Sequence, residues 1–124
     1  MTERVVVRSK FFFEGEKKFF VKGVTYAPFA PDAEGFQFGS KEQVAKDLAA
    51  IRDSGANLVR IYTTPPRWFL DLCLENGIRV LFSIAWMEHV EFLNDHKVRA
   101  SVEKAVIDAV REHKGHHAIF GYLL

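Results

Sequence analysis

Apolar positions along the chain fall into runs of two different periods. Val44, Leu48 and Ile51 recur at helical spacing, with Ala45 and Ala49 beside them. That spacing predicts a helix with one apolar face. Ser40 opens it, with Gln43 placed three residues later as in a capping box, and Gly55 closes it as a C′ residue. Phe69, Leu70, Cys73 and Leu74 form the face of a second helix, started by Thr64-Pro65-Pro66 and ended by Gly77. Val98, Val102, Ala105, Val106, Ala109 and Val110 mark a third. Between the helices lie runs of strand character, Asn57 to Thr63, Ile78 to Ile84 and Ile119 to Leu124. The middle one is apolar enough to be buried on both faces.

The N-terminal part reads as extended. Arg4–Phe13 and Lys18–Tyr26 are rich in Val and Phe and flank Glu14-Gly15-Glu16-Lys17, which predicts a hairpin around a short turn. Ala27 to Gly39 and Ala85 to Asp95 read as loops. The order is a hairpin over residues 1–19, then β-α-β-α-β-α-β over residues 20–124. Strands alternating with helices predict an α/β fold with a parallel sheet and right-handed crossovers. Such a sheet either stays open and doubly wound or closes as a TIM (β/α)₈ barrel. A barrel takes about 250 residues, so 124 residues amount to half of one, a single partial domain.

Composition narrows the classes. Hydrophobic residues make up 48% and charged residues 27%, which excludes a disordered chain. A net charge of +1 gives no field for nucleic acid. Cys73 is the one cysteine, so no internal disulfide or cysteine metal cluster forms. No signal peptide or membrane span is read in this sequence, and a cytoplasmic location is expected. Twelve phenylalanines imply a large core or a stacking platform.

Arg60 stands out as a charge inside an apolar strand. By alternation Leu58, Arg60 and Tyr62 share one face, and Val59 and Ile61 share the other. One reading points Arg60 to the barrel interior near the C-terminal strand end, where a buried guanidinium needs anionic partners. The other is a strand-end Arg snorkelling to solvent. Tyr26, Tyr62 and Trp86 each stand at a C-terminal strand end. They form either a platform for a sugar face or ordinary core. Glu88 and Glu91 offer carboxylates in a loop, more simply read as solvated. His113, His116 and His117 cluster at a helix end without a zinc spacing. Neither a phosphate loop nor a Gly-x-Ser-x-Gly elbow occurs. No cofactor and no metal are expected.

The segments FFVKGVTYAPF, DLAAIRDSGANLVRIYTTPPRWFLDLCLENGIRVLFSIAW and HHAIFGYLL resemble the first half of a glycoside hydrolase (β/α)₈ barrel, nearest in look to the β-galactosidase and β-glucuronidase superfamily. Similar barrels also occur in large bacterial proteins that contain a glycosyltransferase domain. The resemblance runs from Phe12 to Leu124 and is most specific from Asp47 to Gly77. It implies a parent that acts on O-glycosidic bonds by a retaining two-carboxylate mechanism. It implies that Arg60 contacts the catalytic carboxylates and substrate, with Tyr62, Trp86 and Tyr26 lining subsites. The acid/base and nucleophile carboxylates of that family fall beyond Leu124, so no catalytic residue is expected within this chain. Family members often carry His shortly after the strand Arg, and Tyr62-Thr63-Thr64 stands here instead.

Two other functions fit these residues. One is a non-catalytic carbohydrate-binding or accessory barrel of a glycosyltransferase. The other is a self-contained small α/β ligand-binding module. The partners expected are a carbohydrate, the missing C-terminal half of the barrel, and a second copy of the chain meeting open barrel edges.

Overall fold

The computed structural model describes residues 3–26, 38–84 and 95–123. Two sheets and three helices make up the fold. Strands β1 (Val5–Arg8), β2 (Phe11–Glu14) and β3 (Lys17–Lys18) form an antiparallel sheet in that order. Strands β4 (Gly23–Thr25), β5 (Leu58–Ile61), β6 (Arg79–Ser83) and β7 (Ile119–Leu123) form a four-stranded sheet, every pair parallel, in chain order. Helices α1 (Lys41–Asp53), α2 (Arg67–Glu75) and α3 (His96–His113) connect the parallel strands. The expected β-α-β-α-β-α-β order and half-barrel sheet are therefore present. Among the described residues, no helix is long and apolar enough to cross a membrane.

The expected hairpin is present, β2 and β3 pairing antiparallel around Gly15 and Glu16, and the sheet adds a third strand. Arg4–Phe13 is not one strand. It folds back at Ser9-Lys10, where Ser9 takes a left-handed φ of 57°, and Val6 and Val7 pair with Phe13 and Phe12. A two-residue connection with positive φ suits the twist of paired strands. The run Lys18–Tyr26 also breaks, because its two ends belong to different sheets. Between them the side chain of Asn57 replaces a strand ladder. Its amide nitrogen donates to the Phe20 carbonyl at 2.7 Å, and its oxygen accepts from the Lys22 amide at 2.8 Å.

Helix α1 begins as its sequence predicts. Ser40 is the N-cap, and its hydroxyl accepts from the Gln43 amide at 3.2 Å. The Gln43 side chain turns to Asp47 instead of closing the box. Gly55 (φ +96°) and Gly77 (φ +69°) follow α1 and α2 in left-handed conformations that a side chain would strain. Helix α2 starts one step later than predicted. Pro66 is extended (ψ 154°) and stands at the N-cap, so the prolines lead into the helix from outside it. Helix α3 starts earlier, at His96, because the Asp95 carboxylate caps the Lys97 and Val98 amides.

The core lies between the parallel sheet and the helices. Val59, Ile61, Val80 and Phe82 face that layer and meet Val44, Leu48, Phe69, Leu70 and Cys73, all fully buried. The opposite face of the sheet is the one that lines a barrel.

Candidate functional site on the inner sheet face

Strand register arranges the inner face in rows. Gly23, Leu58 and Arg79 align nearest the N-terminal ends of the strands. Thr25, Arg60, Leu81 and Gly121 align next. Ser83 and Leu123 form the row beyond, with Tyr62 just past β5. Gly121 sits at a register shift after Val80, and a Cβ there would stand 3.4 Å from the Leu81 side chain.

Arg60 lies on this face, exposed, toward the C-terminal end of β5. Its guanidinium carbon rests 4.7 Å from the centre of the Tyr62 ring. Such a contact is worth about 0.5–1 kcal/mol when exposed. Among the described residues the Arg60 guanidinium meets no carboxylate. The structure thus brings Arg60 and Tyr62 together.

Tyr26 does not join them. Counted in twos from Val24, it belongs to the helix-facing side, while Thr25 faces inward. Its ring stacks on Phe69 with centroids 6.0 Å apart, and its hydroxyl donates to Asp47 Oδ2 at 2.7 Å. Burial, then the Asp47 contact, raises its pKa well above the ordinary tyrosine range. The expected role of Tyr26 as a subsite residue is corrected on this ground: the ring is part of the core. Trp86, Glu88, His89 and Glu91 lie outside the described residues.

The buried guanidinium of the inner face is Arg79, which sequence reasoning passed over. It is 1% exposed. Nη2 donates to the Glu3 carbonyl at 2.6 Å and pairs with Glu14 Oε1 at 3.2 Å, and Nη1 donates to the His117 carbonyl at 3.3 Å. Arg79 therefore holds the N-terminal sheet against the N-terminal ends of the parallel strands. Phe12 supports the same junction, with its ring 4.7 Å from that of Phe120. The available signal was a cation at the start of a buried apolar strand, in the same alternation phase as Leu81.

The histidines serve as cross-links. His113 Nε2 donates to the Pro65 carbonyl at 2.8 Å. His116 Nδ1 accepts from the Ala118 amide, which leaves Nε2 to donate to Asp71 Oδ1 at 2.7 Å. Among the described residues no three His, Cys, Asp or Glu side chains are grouped to hold a metal. A cavity of about 420 Å³ opens on the outer side between α1 and α2, beside Lys41, Ala45, Trp68 and Leu72, and shares no residue with the inner face.

No family model and no curated protein matches the chain. Solved structures do. One is Saccharomyces cerevisiae Gas2p in complex with laminaripentaose, 20% identical with a TM-score of 0.68, matched over 98% of this chain and 30% of that one. Another is the β-glucuronidase of Parabacteroides merdae, 21% identical with a TM-score of 0.72, over 96% of this chain and 15% of that one. A third is Bacteroides uniformis β-glucuronidase 2, bound to cyclophellitol-6-carboxylate aziridine, 21% identical with a TM-score of 0.67, over 92% and 14%. The chain spans less than a third of the length of each. These neighbours are TIM-barrel glycoside hydrolases, and the likeness assigns the fold: the chain is half of a (β/α)₈ barrel, its four parallel strands in barrel order.

Proposed function

We propose that this chain forms the N-terminal half of a carbohydrate-binding (β/α)₈ domain whose complete form cleaves O-glycosidic bonds. The observation that carries this reading is Arg60. Its guanidinium stands on the inner face at the end of a barrel strand where such folds build their sites. It is steadied by an aromatic ring and engages no carboxylate of the described chain. Guanidinium donors placed in this way suit carboxylates and sugar hydroxyls. The neighbours bound to laminaripentaose and to a cyclophellitol derivative support a sugar as the ligand.

Retaining hydrolysis needs two carboxyl groups about 5–5.5 Å apart. The inner-face rows described above contain no Asp or Glu facing Arg60. On this reading the carboxylates come from strands that complete the ring, and the chain without them binds sugar but does not turn it over. The same absence is what an accessory, non-catalytic barrel would show, and the two readings part only at the completing strands.

The test is a titration of the purified chain with laminaripentaose and with a phenyl glucuronide, followed by calorimetry and by product analysis. Binding of either sugar without hydrolysis is expected. Arg60→Ala should weaken that binding at least about tenfold while changing folding stability by less than about 1 kcal/mol. Turnover by the chain alone, or binding indifferent to Arg60→Ala, would sink the reading.

A further inference from the structure

Ser83 ends β6 on the inner face, two residues beyond Leu81, the register partner of Arg60. Its hydroxyl oxygen is shielded from solvent and has no hydrogen-bond partner among the described residues. Thr63 Oγ1, just past β5, is in the same condition. Two other buried polar atoms lack partners, Arg79 Nε and His113 Nδ1, but each belongs to a group whose other nitrogens are bonded. The hydroxyls have nothing else to offer. A buried polar atom left unpaired is costly, and alanine would fill nearly the same space without that cost. Serine is therefore not explained by packing. Of the two, strand register fixes the direction of Ser83 alone, because Thr63 lies past the end of β5 where alternation stops.

We infer that Ser83 is a specificity-determining residue that exchanges a hydrogen bond with a hydroxyl of the bound sugar; this rests on the function proposed above. Its neighbour on the same face is Tyr62, one residue past the Ile61–Phe82 pair. Tyr62 is 39% exposed and is the ring that Arg60 covers. A sugar that engages Arg60 lies over the strand end that also carries Ser83. The ligand hydroxyl then satisfies an oxygen that the chain leaves orphaned. A site built around such a group discriminates strongly between ligands with and without the matching hydroxyl.

Binding and stability should move in opposite directions in Ser83→Ala. With laminaripentaose as the probe, calorimetry should show affinity reduced about tenfold, the loss of one hydrogen bond. The melting temperature of the same variant should stay level or rise, because an unpaired hydroxyl has been removed. Ser83→Thr, which keeps the hydroxyl, should recover part of the affinity. Wild-type affinity in Ser83→Ala, with Arg60→Ala still defective, would overturn this inference and leave the proposed function standing. A lower melting temperature in Ser83→Ala would overturn it too, since the hydroxyl would then be bonded within the fold. Absence of sugar binding by the wild-type chain removes both.

Discussion

Arg79 and Glu14 join the two sheets: Nη2 and Oε1 meet at 3.2 Å with the guanidinium 1% and the carboxylate side chain 37% exposed. The asymmetry of burial decides which partner matters. Glu14 can turn to water if the pair is broken, whereas the Arg79 guanidinium, which also serves the Glu3 and His117 carbonyls, cannot. Arg79→Ala should therefore cost about 3 kcal/mol of stability, the range for removing one partner of a buried charged pair. Glu14→Gln keeps an acceptor in place and should cost less than about 1 kcal/mol. Urea denaturation of both variants checks the ratio, and equal losses would assign the junction to the ion pair alone.

Asn57 carries a second junction. Its amide satisfies the Phe20 carbonyl and the Lys22 amide in the stretch that leads into β4, where no strand ladder does so. Asn57→Ala removes two hydrogen bonds at once, and a loss of about 2 kcal/mol follows. Asn57→Asp keeps the acceptor and loses the donor, so it should fall between. Hydrogen exchange should show the Lys22 amide losing protection in Asn57→Ala; retained protection would place its support elsewhere.

The core sets a limit on alkaline stability. Burial raises the pKa of the Cys73 thiol, and burial with the Asp47 contact raises that of the Tyr26 phenol. Burial raises that of Tyr122 as well. In each case the folded state favours the protonated form. The stabilisation is complete below the unfolded value, starts to fall as pH passes it, and is lost as pH rises through the raised folded value. Unfolding should therefore become easier from about pH 9, where an unfolded cysteine ionises, and more steeply from about pH 10, where tyrosine does. At neutral pH Tyr26→Phe should cost about 1 kcal/mol for its hydrogen bond to Asp47. Its stability should then decline less steeply above pH 10 than that of the wild type. Denaturation curves at pH 7, 9 and 10.5 read both effects, and identical slopes for wild type and variant would refute the assignment to Tyr26.

Period and punctuation made the parallel sheet and its helices legible. Ser40, Gly55 and Gly77 mark helix ends by local chemistry alone, and Val59 with Ile61 declares the helix-facing side of β5. The N-terminal sheet was less legible because Val5–Val7 and Phe11–Phe13 are apolar without alternation, so nothing in the pattern marks the reversal at Ser9. The two strand arginines show what a period of two leaves open. Arg60 and Arg79 both point to the inner face. Which is buried depends on height along the strand, and the N-terminal sheet covers only the lower end. Tyr26 could have been placed from sequence, since it shares the phase of Val24. Asp95 likewise announced the start of α3. The orphaned Ser83 hydroxyl had no sequence signal, because satisfaction is a property of the packed neighbours.

The last prediction concerns association. Among the described strands, β4 pairs only with β5, and β7 only with β6. Their outer edges keep backbone donors and acceptors that a closed barrel would pair, and such edges recruit other chains. Apolar surface accompanies the β4 edge: Phe20 is 63%, Val21 48% and Val24 41% exposed. Four strands from each of two copies make the eight of a ring, with β7 of one beside β4 of the other, and a two-fold axis makes both seams alike. The chain by itself is therefore expected to sediment as a dimer at micromolar concentration. Val24→Lys puts a charge on the β4 edge and should shift the population to monomer without altering the helical signal in circular dichroism. A wild-type chain that sediments as one sharp monomer and unfolds cooperatively would show that the open edges need no partner, and the self-contained module would then be the better description.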